Sequence, residues 1–74
     1  MRDEIRKTTK FMIEEFTVEL TTNRFNFDPT ALAEDIYEGT DFSKAKAQQI
    51  ADEVMIRLKT FAKDVRTAKA AAIR

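Results

Sequence analysis

The chain has 74 residues, of which 35% are charged and 43% hydrophobic, and its 13 basic and 13 acidic side chains give a formal net charge of zero. It contains no cysteine and no histidine, which excludes disulfides and the thiolate and imidazole ligands of structural zinc sites. Because a domain of this size buries only about 60% of the surface that its unfolded chain exposes, we expect self-association to supply further stability.

The distribution of apolar and charged residues predicts a soluble, cytoplasmic protein. No stretch approaches the roughly 20 apolar residues of a membrane span, and the first residues lack the basic and apolar pattern of a secretory signal. The charges are uneven along the chain. Residues 1–43 carry five basic and ten acidic side chains, a charge of −5, whereas residues 44–74 carry eight basic and three acidic, a charge of +5.

An amphipathic pattern predicts a first helix over residues 3–20. Its inward face is formed by residues that recur at steps of three and four: Ile5, Thr9, Met12, Ile13, Phe16 and Leu20. Phe11 and Val18, seven residues apart, point away from that face, so a compact monomer would leave both in water. This second apolar stripe is either a contact surface or two scattered surface hydrophobes.

Capping residues predict a short second helix over residues 29–38. Asp28 is a suitable N-cap, and Pro29 suits the first helical position. Gly39 is expected to end the helix. The residues expected to face inward are Leu32, Ile36 and either Ala33 or Tyr37.

A long third helix is predicted over residues 43–72, with Ser43 as one of its alternative N-caps. Its apolar residues alternate steps of four and three, which is the pattern of one continuous seam. They are Ala47, Ala51, Val54, Leu58, Phe61, Val65, Ala68 and Ala72. At about 1.5 Å per residue the helix would extend about 45 Å, against about 27 Å for the first. Its end must therefore project, fray or pair with another chain.

These elements predict an all-α fold, with residues 1–74 as one small three-helix domain. Short connections make the first and third helices neighbours, with the second helix as a cross-piece. The alternative is a dimer whose third helices pack along their seams.

The residue types that carry catalysis are largely missing. Without histidine and cysteine, acid–base and nucleophilic work would fall on carboxylates, lysines, hydroxyls or Tyr37, and none has a partner at a meaningful spacing. Glu14 and Glu15 diverge by about 100° on a helix and cannot form a paired-carboxylate site. We therefore expect no enzymatic activity and no cofactor.

An acidic cluster surrounds the end of the second predicted helix and contains Glu34, Asp35, Glu38 and Asp41. Hard cations prefer such oxygen ligands, but the spacing of a calcium-binding loop is missing. We interpret the cluster as a solvated acidic face that can meet a basic partner, including the third helix of a second copy, and not as a metal site.

A basic strip on the third helix contains Lys59, Lys63 and Arg66, expected on the side away from the seam. Such a strip would contact DNA phosphates, and the connection before the helix resembles the turn that precedes a DNA-reading helix. The neutral net charge and the lack of base-reading side chains on the strip argue against this. The strip is either a solvated face or the surface of a dimeric DNA-binding regulator.

The leading functional prediction is a non-catalytic module that binds another protein or a second copy of itself. Very small, charged, glycine-poor helical proteins are often viral or mobile-element accessory proteins that inhibit a larger target by occluding it. The expected contact residues are those that a compact monomer leaves unexplained. They are the apolar anchors Phe11, Val18, Phe25 and Ile56, with the polar patch Glu34, Asp35 and Glu38.

Overall fold

The computed structural model describes the backbone of residues 2–73 and the side chains of residues 2–70. Within that range the chain forms four helices and no strand. The helices are α1 (Arg2–Glu15), α2 (Thr17–Thr21), α3 (Pro29–Gly39) and α4 (Lys44–Ile73). The all-α prediction with a short middle helix and a long C-terminal helix is confirmed. The first predicted helix, residues 3–20, is instead divided in two.

The division lies at Phe16, whose backbone (φ −119°, ψ 27°) leaves the helical region. Its N–H still donates to the Met12 carbonyl at 2.9 Å, and its carbonyl accepts from the Leu20 N–H at 2.9 Å. The chain therefore bends while helical hydrogen bonds continue on both sides. The next residue, Thr17, donates its hydroxyl to the Ile13 carbonyl, and bonds of this type bend helices.

Helix α4 is the element on which the other three helices pack. α1, α2 and α3 each contact α4, whereas no Cα atom of α1 lies within 8 Å of one in α3 in the described backbone. The buried apolar residues are Ile5, Met12, Leu20, Ala33, Ala47, Ile50, Ala51, Val54, Met55, Leu58 and Ala62. The largest fully buried side chains are Leu20, Ile50, Val54 and Leu58, and burial of each stabilises the fold by about 1.5–3 kcal/mol.

The apolar seam of α4 is covered along its first part only. Its buried positions end at Ala62, Val65 is half-buried, and Ala68 is exposed. The predicted seam is therefore too long for the fold of one chain; its last residue, Ala72, lies outside the described side chains. Residues 63–73, called the α4 end below, project past the other helices, in keeping with a longest molecular dimension of 48 Å.

The N-terminal ends of α3 and α4 confirm the predicted caps, whereas α3 extends one residue past its predicted end and has Thr40 as its C-cap. Asp28 accepts the Thr30 N–H at 2.9 Å, with proline at the first position of α3. α3 ends at Gly39. Among the alternative caps of α4, Ser43 accepts the Lys46 N–H with its hydroxyl at 3.2 Å. In the described part of the chain, none of these helices has the length and apolar composition that crossing a membrane requires.

The inward face of α3 resolves an alternative that the sequence left open. Ala33 is buried, whereas Tyr37 is exposed and has the Lys44 ammonium 5.5 Å from its ring centroid. Leu32 and Ile36 are partly buried against the core. The apolar face that α3 presents to α4 is therefore narrow. The small side chain of Ala33 at its centre allows the two helices to approach closely.

Candidate functional site

An open groove of about 490 Å³ lies between α1 and α3. It exists because both helices pack on α4 and not on each other. Its apolar lining comes from α1, from α3, from the bend and loop that connect them, and from one α4 residue. These side chains are Phe11, Met12, Phe16, Phe25, Ala31, Leu32, Ile36 and Met55. A volume of about 300–1,000 Å³ with a mostly apolar lining is typical of ligand-binding pockets.

The polar groups of the groove are acidic or neutral. Asp28 and Asp35 line it together with Thr8 and Asn26, and no lysine or arginine belongs to its described lining. Among the described side chains the ion pair is Arg57–Glu53, at 3.4 Å and away from the groove. Asp28 already accepts the Thr30 N–H as the N-cap of α3, and neither groove carboxylate forms an ion pair among the described side chains. Their negative charge favours a ligand that combines apolar and cationic groups.

Two aromatic rings of the groove lining, Phe16 and Phe25, belong to a cluster that continues to Phe27 outside the lining. Phe16 and Phe25 meet edge to face with ring centroids 5.4 Å apart, and Phe25 meets Phe27 in the same manner at 4.9 Å. Such geometry is preferred because the positive ring edge meets the negative ring face. Phe25, expected to be left uncovered by a compact monomer, is half-buried because it packs between the other two rings.

Two of the four predicted apolar anchors line the groove. Phe11 is 59% exposed and lines the groove with the half-buried Phe25. Val18 and Ile56 are 68% and 58% exposed but do not line it. Val18 lies on α2, beyond the bend at Phe16, whereas Phe11 lies on α1.

The predicted acidic patch is also divided between two surfaces. Asp35 lines the groove, whereas Glu34 lies at a shallow depression that it shares with Tyr37 and Lys44. Glu38 is exposed and lines neither. Within the described part of the chain, acidic side chains do not converge in a group that could hold a metal ion.

No protein-family model, curated protein or solved structure matches this chain. Among the described residues no polar or charged side chain is buried. What the groove offers a ligand is apolar area, aromatic edges and two carboxylates.

The three residues of the basic strip are exposed on α4. The Lys59 ammonium is 5.8 Å from the ring centroid of Phe27, a partly buried residue of the loop before α3. Lys63 and Arg66 are exposed and belong to the α4 end.

Sequence reasoning did not predict the groove residues Phe16, Ile36 and Met55 as a site. It assigned the first two to the interior of a compact bundle and did not single out Met55. One signal could have indicated an open surface: Phe16, Phe25 and Phe27 lie within twelve residues, which is more aromatic area than the thin core of so short a chain is expected to bury.

Proposed function

We propose that the protein is a non-catalytic binding module that takes an apolar segment of another protein into the groove between α1 and α3. One observation carries this proposal: Phe11 is 59% exposed beside a groove that is itself lined by aromatic and aliphatic side chains. Contiguous exposed apolar surface with a polar rim is characteristic of protein-binding sites, and aromatic residues supply much of the binding energy at such sites.

The lining supports recognition of an amphipathic helix. In this binding mode the partner inserts apolar side chains spaced three or four residues apart into a groove between helices. Phe11 and Phe16 would contact such side chains from the α1 side, and Leu32 and Ile36 from the α3 side. Basic residues at the edge of the partner helix would face Asp28 and Asp35, which adds specificity and accelerates association.

The proposed mode of action is occlusion. A module of 74 residues that covers a helix of a larger protein blocks whatever that helix binds, without any chemistry of its own. The protein would then act as an inhibitor or accessory factor of the viral or mobile-element type, for which a binding surface is sufficient.

The test is a selection of displayed helical peptides on the wild-type protein, with binding measured afterwards on two variants. Phe11→Asp places a carboxylate in the groove, whereas Val18→Asp changes an equally exposed apolar residue outside it. We expect selected peptides to lose at least about tenfold in affinity for Phe11→Asp and to bind Val18→Asp unchanged. Peptides that bind both variants like the wild type, or a selection that yields no binder, would refute the proposal.

Duplex DNA is the second candidate ligand, favoured by the exposure of Lys63 and Arg66 on the α4 end. A dimer would present two such ends to phosphates. Binding would then weaken steeply as salt is raised, because each phosphate contact releases a counterion. Fluorescence anisotropy with a labelled duplex at low salt tests this, with Lys63→Ala/Arg66→Ala as the paired variant, and no binding at low salt excludes it.

A further inference from the structure

The α4 end and the groove of the same chain have opposite charge. The groove carries Asp28 and Asp35 and, in its described lining, no cation. The α4 end carries three exposed cations against one carboxylate. Its exposed charged residues among the described side chains are Lys63, Asp64, Arg66 and Lys69. The two surfaces therefore attract each other at neutral pH.

Among the described side chains, the α4 end also continues the apolar face of α4 past the part that the other helices bury. Phe61 and Val65 are half-buried and Ala68 is exposed, at the steps of four and three that keep them on one side of the helix. Because the side chain at position 68 is small, the helix backbone can approach a groove closely. The α4 end is thus a basic amphipathic segment of the kind that the groove lining favours.

This segment cannot enter the groove of its own chain. Helix α4 is continuous from Lys44 to Ile73, and Met55 of the same helix lines the groove. Ala68 lies thirteen residues beyond Met55, which is about 20 Å along a straight helix at about 1.5 Å per residue. A second copy of the chain is needed to bring the two surfaces together.

We propose that two copies associate reciprocally, with the α4 end of each copy docked in the groove of the other. The cations of each end then face the partner groove's carboxylates. The arrangement is two-fold symmetric, so every contact is made twice, and it supplies the self-association expected of a short chain without cysteine. This inference rests on the proposed function, because the docked end occupies the same groove, and a foreign target must displace it.

The first measurement is the mass of the wild type by light scattering over a wide range of protein concentration at low salt. We expect a dimer that dissociates on dilution. Phe11→Asp in the groove and Ala68→Glu in the α4 end should each raise the dissociation constant at least about tenfold. Both positions are exposed, so the fold is expected to survive, which circular dichroism checks. Val18→Asp and Ile56→Asp are matched controls and should leave the dimer unchanged.

Mixing the two disruptive variants is the sharper experiment. Each variant alone lacks both contacts of the dimer. An equimolar mixture of Phe11→Asp and Ala68→Glu retains one intact contact, between the groove of the Ala68→Glu copy and the α4 end of the Phe11→Asp copy. We expect the mixture to associate more strongly than either variant alone.

Charge reversal tests the same contact. Asp35→Lys and Arg66→Glu should each weaken the dimer, and the chain that carries both changes should recover part of the lost affinity.

Three results would overturn the reciprocal dimer: a monomer at every concentration, a dimer that neither Phe11→Asp nor Ala68→Glu weakens, and a mixture that associates no better than its components. The peptide selection separates this failure from that of the proposed function. A monomer that binds selected peptides through Phe11 retains the proposed function and loses only the self-docked state, whereas a monomer that binds none loses both.

Discussion

Phe16 and Phe25 meet edge to face between the bend in the first helical region and the loop before α3, with ring centroids 5.4 Å apart and ring planes at 60°. Phe16 is the residue at which the helix bends, and Phe25 carries the contact on to Phe27 at 4.9 Å. The bend and the aromatic lining of the groove are therefore linked through Phe16 and Phe25. A change at either of these rings should alter both the stability of the fold and the shape of the groove.

Replacing Phe25 with alanine should lower the free energy of unfolding by about 2 kcal/mol. A fully buried phenylalanine costs about 3–5 kcal/mol on truncation, and Phe25 is half-buried. Urea unfolding measures the effect, with Phe11→Ala as an exposed control expected to change stability by less than about 0.5 kcal/mol. In a double-mutant cycle with Phe16→Ala we expect a coupling of about 0.5–1.5 kcal/mol; strictly additive effects would show that the two rings do not interact.

The sequence predicted the parts of the fold that depend on local rules. Helix periodicity placed Ala47, Ala51 and Leu58 on the packed side of α4, and all three are buried. Capping chemistry placed the start of α3 after Asp28, where the side-chain bond is found. Both rules work because helix faces and helix ends are set by residues within one or two turns of each other.

The groove could not be predicted in this way. It exists because α1 and α3 pack on α4 and not on each other, which is a relation between helices that are distant in the sequence. Periodicity treated Phe11 and Val18 as one stripe because it assumes a straight helix. Only the three-dimensional arrangement shows that Phe11 and Asp35 share a surface and that Val18 and Glu34 lie elsewhere.

The turn after α2 contains a left-handed residue, Asn23, with φ of 60°. The following Arg24 donates its N–H to the Glu19 carbonyl at 2.8 Å. This hydrogen bond, from residue i to residue i−5, is the one that closes a Schellman motif at the C-terminus of a helix. Asn23→Ala should lower the free energy of unfolding by about 1 kcal/mol, because alanine is strained in this conformation. Asn23→Gly should raise it by about 0.5 kcal/mol, since glycine adopts this conformation freely. Thermal unfolding of both variants measures the difference, and equal stabilities would contradict the left-handed turn.

Replacing Gly39 with alanine should stabilise the protein, whereas Asn23→Ala destabilises it, although both residues lie at the end of a helix. Gly39 lies within α3 without a positive φ, and an added Cβ would meet nothing within 4 Å. Gly39→Ala should therefore raise the free energy of unfolding by about 0.4–1 kcal/mol, by reducing the conformational freedom of the unfolded chain. Urea unfolding tests this. A destabilised variant would mean that α3 ends through a left-handed glycine in solution.

The small residues on the packed face of α4 should resist enlargement. Ala51 is fully buried, and added methylene groups in a packed core cost about 1–3 kcal/mol because neighbouring side chains must leave their preferred rotamers. Ala51→Leu should lower the free energy of unfolding by that amount. Ala45→Leu is the matched control on the same helix, because Ala45 is exposed, and its effect should stay within about 0.5 kcal/mol. Equal effects of the two leucines in urea unfolding would mean that the other helices do not pack on this part of α4. The groove between α1 and α3 would then not have the geometry described here, because it depends on that packing.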